Sequence, residues 1–222
     1  MGLALKDISF TYSPGSPEAS TVFRRVNAVF PGSAIGLVTG ENGSGKTTLL
    51  HLLAGLLRPT AGDIEADGRP VSRWTASHRD RWRRRVGIGF QHLRLIGDLT
   101  ALENVMLPSL PRERSLKNLR GRAMAALDKL ECAGLAFRSA EGLSGGERQR
   151  VALARALAHH PRYLLVDEAF SHQDPKGATL IKAALVGMAE RGATVVASAH
   201  GCDRDWCHQA FRIHEQALEP LR

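Results

Sequence analysis

Apolar and polar residues alternate through Leu3, Leu5, Ile8 and Phe10 and then give way to a Pro/Gly/Ser stretch at residues 13–17, a pattern that predicts a half-exposed strand and a turn. Ala34–Thr39 is a short apolar run that ends at a glycine, and residues 46–57 follow with helical character. That segment predicts a buried strand, a loop and a helix. Asp67-Gly68, between Ile64 and Val71, marks a hairpin. Residues 86–90 resemble a further strand, after which the period turns helical. Thr100-Ala-Leu-Glu103 is a capping box, and apolar residues recur at helical spacing across 116–132. Tyr163–Val166 and residues 194–197 resume buried strands, separated by a helix at about 175–190. Strands alternating with helices imply a largely parallel sheet covered by helices, and the section at roughly 91–160 reads as a helical subdomain set into it. The chain has no internal repeat, coiled-coil heptad or low-complexity tract.

A length of 222 residues suits one large domain with an inserted subdomain and is too short for two independent cores. Apolar residues make up 43%, enough for a buried core, yet no stretch approaches the length that crosses a bilayer. The opening Met-Gly-Leu-Ala-Leu-Lys lacks the regions of a secretory signal, so the expected compartment is the cytoplasm. Cys132, Cys202 and Cys207 are an odd, sparse set that argues against a disulfide framework. His200, Cys202, Cys207 and His208 include metal-ligand residue types at a spacing that matches no familiar zinc pattern. The formal charge of +8 is partly local. Arg79, Arg81, Arg83, Arg84 and Arg85 crowd one segment with Trp74 and Trp82, which reads as a solvated helix face, with anionic lipid headgroups or an acidic coupling surface as the alternative contacts.

Three motifs carry chemistry. Gly40-Glu-Asn42-Gly43-Ser44-Gly45-Lys46-Thr47 fits G-x-x-x-x-G-K-[ST] between a predicted buried strand and a helix, the context of a phosphate-binding loop. Its glycines let backbone N–H groups turn toward phosphate, and the helix N-terminus adds positive partial charge. Lys46 is expected to reach the β- and γ-phosphates, and Thr47 to offer its hydroxyl to Mg²⁺. Tyr163-Leu-Leu-Val-Asp167-Glu168 delivers two carboxylates at the end of a buried strand. Beside a phosphate loop, Asp167 is expected to hold Mg²⁺ through water, and Glu168 to polarise the attacking water. In Leu143-Ser144-Gly145-Gly146-Glu147-Arg-Gln-Arg150 the serine and glutamate form a capping box whose helix start exposes N–H groups on or beside two glycines, an anion site.

With that third motif the sequence resembles the ABC ATPase family, whose signature is Leu-Ser-Gly-Gly-Gln/Glu, and the resemblance spans nearly the whole chain in the family's order. It implies an α/β fold: a P-loop NTPase (RecA-like) core with an antiparallel β subdomain and an inserted α-helical signature subdomain. One domain would span 1–222, with 1–90 and 161–222 as the catalytic core and 91–160 as the helical subdomain. By resemblance Tyr12 stacks on adenine, Gly40 through Thr48 form the P-loop, and Gln91 senses Mg²⁺ and the membrane partner. Ser144, Gly145, Gly146 and Glu147 are the signature, Asp174 is the D-loop aspartate, and His200 is the switch histidine on the γ-phosphate. Two departures stand out: Ala169 where the family usually has proline, and Ser171-His172-Gln173-Asp174 where it usually has Ser-Ala-Leu-Asp.

The resemblance implies ATP and Mg²⁺ as ligands, a head-to-tail homodimer around two ATP molecules, and a separate integral-membrane permease subunit. The location it implies is peripheral, on the cytoplasmic face of the inner membrane. Residues 90–92 and Leu99-Thr-Ala-Leu-Glu-Asn-Val-Met-Leu-Pro108 resemble the lipoprotein-releasing and macrolide-export group, which also includes the cell-division ATPase, so export or lipid and lipoprotein extraction is the expected work. DNA-repair and chromosome ATPases share the P-loop and signature, but the short, heptad-free interval from Lys46 to Ser144 speaks against them and no nucleic acid is expected. A small-molecule or nucleotide kinase would have no use for the signature.

Overall fold

The computed structural model describes residues 2–71, 74–89, 95–111, 113–201 and 203–221. In chain order the elements are β1 (Gly2–Tyr12), β2 (Ser20–Pro31), β3 (Ala34–Thr39), α1 (Lys46–Leu53), β4 (Ala61–Ala66), β5 (Arg69–Pro70), α2 (Ala76–Arg83) and β6 (Val86–Gly89). There follow α3 (Ala101–Met106), α4 (Leu116–Asp128), α5 (Gly145–Leu157), β7 (Tyr163–Val166), α6 (Pro175–Glu190), β8 (Thr194–Ser198), β9 (Gln209–His214) and β10 (Ala217–Leu221). The central sheet runs β10-β9-β3-β8-β7-β6, parallel except for the β9–β10 hairpin at its edge. A second, antiparallel sheet runs β2-β1-β4-β5.

The central strands are buried on both faces, as a parallel sheet between two layers requires. Alternate residues sort to the two sides. Ile35, Leu164, Val166, Val195 and Ala197 pack with the apolar faces of α3 to α6. Val38, Tyr163, Leu165 and Val196 pack with α1 and the inner face of the antiparallel sheet. The sheet is therefore a rigid plane whose strand ends carry the chemistry. Among the described residues no helix is long and apolar enough to cross a membrane.

Three elements depart from the sequence expectation. β2 was not anticipated because Arg25 sits at φ 49, inside a register shift opposite β1, and breaks the alternation between Phe23 and Val26. The β9–β10 hairpin is equally hidden. Its turn uses Glu215 and Gln216 at φ 45 and 67, positions where Gly or Asn would have signalled the reversal. α1 stops at Leu53, short of residue 57, because Gly55 at φ 68 ends it with a left-handed residue.

The α2 segment divides into two kinds of residue. Trp82 is buried, 5% exposed, and Trp74 packs beside it in the core, whereas Arg81, Arg83, Arg84 and Arg85 stay exposed. Four of the five arginines are therefore exposed, while Arg79 is half-buried and the tryptophans pack in the core. Among the described residues no group of three His, Cys, Asp or Glu side chains is placed to hold a metal, and Cys202 of the noted cluster lies outside them.

Candidate nucleotide site

β3 ends at Thr39 and the chain turns through residues 40–45 into α1. Gly45, the N-cap of α1, lies at φ 109, and a Cβ there would come 2.5 Å from Val22 Cγ1, so only glycine fits. Lys46 is 6% exposed, and its Nζ donates to the carbonyls of Gly40 (2.8 Å) and Glu41 (2.9 Å). An ammonium has three donors, so the loop's own backbone aims the charge while leaving one N–H for an anion. Ser44 Oγ is buried with no hydrogen-bond partner among the described residues. Thr48 is joined to Tyr12, whose phenol oxygen lies 3.0 Å from Thr48 Oγ1 and whose ring, half exposed, stands edge-on to Phe10. That contact fixes an aromatic face beside the loop.

β7 brings the two carboxylates to the same place. Thr47 Oγ1 donates to Asp167 Oδ2 at 2.6 Å, and Ser198 Oγ donates to Asp167 Oδ1 at 2.6 Å. The next residue, Glu168, takes a left-handed backbone at φ 48, a conformation a side-chain-bearing residue holds only when its surroundings impose it. Three groups impose it. The Glu168 N–H donates to Ser198 Oγ (2.8 Å), and its carbonyl accepts from Gln149 Nε2 (2.8 Å) and Ser171 Oγ (3.0 Å). The carboxylate so aimed has Oε1 3.1 Å from His200 Nε2. Asn42, Gly43, Gly45, Lys46, Thr47, Thr48, Glu168 and His200 together line a cavity of about 400 Å³.

The signature residues stand elsewhere. Ser144 is the N-cap of α5, with the reciprocal capping box the sequence predicts: Glu147 N–H donates to Ser144 Oγ (3.3 Å), and Ser144 N–H donates to Glu147 Oε2 (2.7 Å). Those bonds, the backbone one first, hold the Glu147 carboxyl below its usual range. Its carboxylate is turned back onto the cap, so Glu147 acts by shaping the helix start rather than by facing a phosphate. Asp174 is likewise a cap, accepting from Gly177 N–H at 2.7 Å at the start of α6. Neither Ser144 nor Asp174 lines the cavity that holds Lys46.

The two departures from the family pattern, after Glu168 and in the D-loop, have structural uses. Ala169 donates its N–H to the Ser198 carbonyl at 3.0 Å, a bond that proline could not make. Gln173 ties the segment to α5: its Nε2 donates to Gly146 O (3.1 Å) and Gln149 Oε1 (2.9 Å), and its Oε1 accepts from Arg150 Nη1 (3.1 Å).

The structure thus brings Lys46, Thr47, Thr48, Glu168 and His200 to one cavity, joins Asp167 and Tyr12 to it by single hydrogen bonds, and sets the signature apart. Gln91 lies outside the described residues. Sequence reasoning missed Ser198, which holds the Asp167 carboxylate and the Glu168 N–H, and Gln149, which holds the Glu168 carbonyl. The available signals were a serine two residues before His200 and a glutamine inside α5. The donor set fits the expected ligands. A hydroxyl and a carboxylate in contact are hard oxygen donors of the kind Mg²⁺ takes. A buried cation and an unpartnered serine hydroxyl in a glycine-turned loop suit phosphate oxygens.

A family profile described as "ABC transporter" matches residues 24–171. The chain is 37% identical over 191 residues to the phosphonates import ATP-binding protein PhnC 2 of Rhodopseudomonas palustris (strain BisB18), covering 81% of this chain and 70% of that one. It is 36% identical over 223 residues to the methionine import ATP-binding protein MetN of Caulobacter vibrioides, covering 96% of this chain and 66% of the relative. Among solved structures, the dimeric post-hydrolysis state of the ATP-binding cassette MJ0796 bound to ADP and Pi superposes with a TM-score of 0.90 at 32% identity over 99% of both chains. The fold is shared too by cbiO1 of Clostridium perfringens, part of the cbiONQ transporter complex, with a TM-score of 0.83 at 24% identity over 97% of this chain and 86% of that one.

Proposed function

From a chain that belongs to the ABC transporter family and is its ATP-binding, ATP-hydrolysing subunit, we propose that two copies close head to tail around two ATP·Mg²⁺ and drive a separate membrane permease from its cytoplasmic face. The observation that carries this is the end of β7, where Asp167 meets Thr47 at 2.6 Å and Glu168 meets His200 at 3.1 Å over the cavity that also holds Lys46. On this reading Lys46 and the N–H groups of the 40–48 loop bind the β- and γ-phosphates, and Tyr12 takes the adenine on its exposed face. Thr47 and Asp167, with Gln91 by resemblance, would hold Mg²⁺, which supplies charge neutralisation at the phosphates.

The reaction is an in-line displacement at the γ-phosphorus. Glu168 accepts a proton as the water oxygen bonds to phosphorus, the bond to the bridging oxygen breaks, and ADP leaves with that electron pair. His200 has two tasks: it fixes the Glu168 carboxylate and offers a donor toward the γ-phosphate. We assign residues 1–90 and 161–222 to the catalytic core and 91–160 to the helical subdomain that presents Ser144, Gly145 and Gly146 to the partner's nucleotide. Asp174 then caps α6 at the edge where the two copies meet. The dimeric MJ0796 cassette supports such pairing, since it shares fold and length with this chain.

We place the work in the export or extraction class on the resemblance of residues 90–92 and 99–108. The named import relatives share the cassette, and their cargoes differ among themselves, so cargo follows the membrane subunit. Copurification from detergent identifies that subunit, and a permease found with a solute-binding component for uptake would overturn this placement. The test of the core proposal is Glu168→Gln. Loss of a general base lowers turnover roughly 10²–10⁴-fold, while ATP with Mg²⁺ traps a homodimer visible by light scattering. A variant that stays monomeric at saturating ATP, with or without its membrane partner, refutes the sandwich.

A further inference from the structure

The arginines around α2 are a motif that the nucleotide chemistry leaves unused. Arg69 on β5, Arg81 on α2, Arg85 just beyond it and Arg162 before β7 line one cavity of about 410 Å³, with His78 also on its wall. Its one carboxylate, Asp67, is paired with Arg162 at 2.8 Å. Among the described residues Arg69, Arg81 and Arg85 make no ion pair. Guanidinium groups gathered on one cavity repel one another, and an anion between them relieves that repulsion.

The aromatic part of the wall is rigid. Trp74 and Trp82 meet edge-on with centroids 5.3 Å apart, and Trp82 lies 4.4 Å from the Tyr163 ring. Trp82 and Tyr163 are 5% and 1% exposed, so this wall is held by the core. Burial, followed by the hydrogen bond and charge of Asp67, pushes the Tyr163 phenol above its usual range and keeps it neutral beside the arginines. Arg79 secures the start of the helix by donating to the Trp74 carbonyl at 2.7 Å. Arg83 and Arg84 belong to the same charge cluster but do not line the cavity, and Arg83 is paired with Asp80 at 3.5 Å.

We propose that this basin binds the phosphate of an anionic phospholipid headgroup. Guanidinium forks match phosphate oxygens two at a time, and the core-held ring wall keeps the arginine-lined basin in shape. The cations converge on a single headgroup-sized cavity, whereas a nucleic-acid strand calls for cations tracking a row of phosphates. The proposal rests on reading the chain as a subunit held at a membrane surface.

Cosedimentation of the purified full chain with vesicles of phosphatidylcholine, with and without phosphatidylglycerol, tests it. Two double variants remove the same charge: Arg81→Gln/Arg85→Gln inside the basin and Arg83→Gln/Arg84→Gln outside it. A cation at an anionic surface contributes about fivefold in partitioning wherever it sits, so loss of charge alone weakens binding by at most roughly 25-fold for either pair. The basin pair also removes two phosphate-matching forks, so it weakens binding to phosphatidylglycerol vesicles clearly more than the outside pair. Equal weakening by both pairs, or no preference of the parent chain for phosphatidylglycerol, overturns the site. Glycerol phosphate, tested in a Lys46→Ala background to silence the P-loop, separates the sources: binding that depends on Arg81 and Arg85 in the absence of vesicle binding assigns the basin to a free phosphate ester and overturns the lipid. Single-stranded oligonucleotide bound more tightly than vesicles, through the same two arginines, also overturns it. If the glutamine pair fails to fold, Arg81→Lys/Arg85→Lys keeps the charge and removes the fork, and reduced phosphatidylglycerol preference is then the expected result. ATPase activity measured without membranes reports on the nucleotide site separately.

Discussion

Glu168 stands in a backbone conformation that costs on the order of 1–3 kcal/mol, and the residues that hold it there are as much a part of the site as the carboxylate. Ser198 is the central one: fully buried, it donates to Asp167 and accepts from the Glu168 N–H. Ser198→Ala strands a buried carboxylate oxygen and a backbone N–H, each at about 1–3 kcal/mol. The expected result is a lower melting temperature and a fall in kcat of at least tenfold, with the KM for ATP changed far less because the 40–48 loop is untouched. Steady-state ATPase kinetics read the split, and an unchanged kcat would remove Ser198 from the machinery. Asp167 and Glu168 were legible in the sequence because an apolar strand ending in two acids beside a phosphate loop has a chemical meaning of its own. Ser198 and Gln149 were not, because a serine ending a buried strand or a glutamine inside a helix acquires its role only when the fold sets it against a backbone group distant in sequence.

At the scale of elements, the same contrast separates features set by a local rule from features that need a distant partner. The capping boxes at Thr100 and Ser144 form as read, because both residues of each box lie within one helical turn. β2 and the β9–β10 hairpin escaped, since a bulge at Arg25 and a turn through Glu215-Gln216 are tolerated only because neighbouring strands offset their conformational cost. The D-loop segment belongs to the second kind. Gln173 binds it to the start of α5 by three hydrogen bonds, so the segment after Glu168 is tied to that helix. Gln173→Leu, the residue usual in the family, removes all three and leaves Arg150 without that acceptor, at a cost of about 1–3 kcal/mol. The expected outcome is a chain that binds ATP normally but shows a weaker ATP-driven dimer and reduced cooperativity of hydrolysis, with Gln173→Glu, which keeps the Arg150 contact, falling between the two. Dimerisation constants and Hill coefficients identical to the parent would show that the tether carries nothing.

The whole molecule poses a question that neither residue nor element answers: it has two sets of groups suited to phosphate, and they are not together. Lys46 and its loop line one cavity with Glu168 and His200, while Ser144, at the start of α5, does not reach it. A helix start with adjacent glycines is more than capping requires, since the Ser144–Glu147 box already accomplishes that. On the proposed head-to-tail pairing the two sets would serve different copies of the nucleotide, each ATP lying between the loop of one chain and Ser144 of the other. Mixing a Lys46→Ala chain with a Ser144→Arg chain tests this directly. In the heterodimer both defects fall on one composite site, and the other keeps an intact Lys46 and an intact Ser144. The expected result is ATP trapped at one site per heterodimer, together with hydrolysis that neither mutant homodimer shows if a single site can fire. A heterodimer shown to form, yet failing to trap or hydrolyse ATP, would mean that Ser144 serves its own chain and that the signature is a cap and no more.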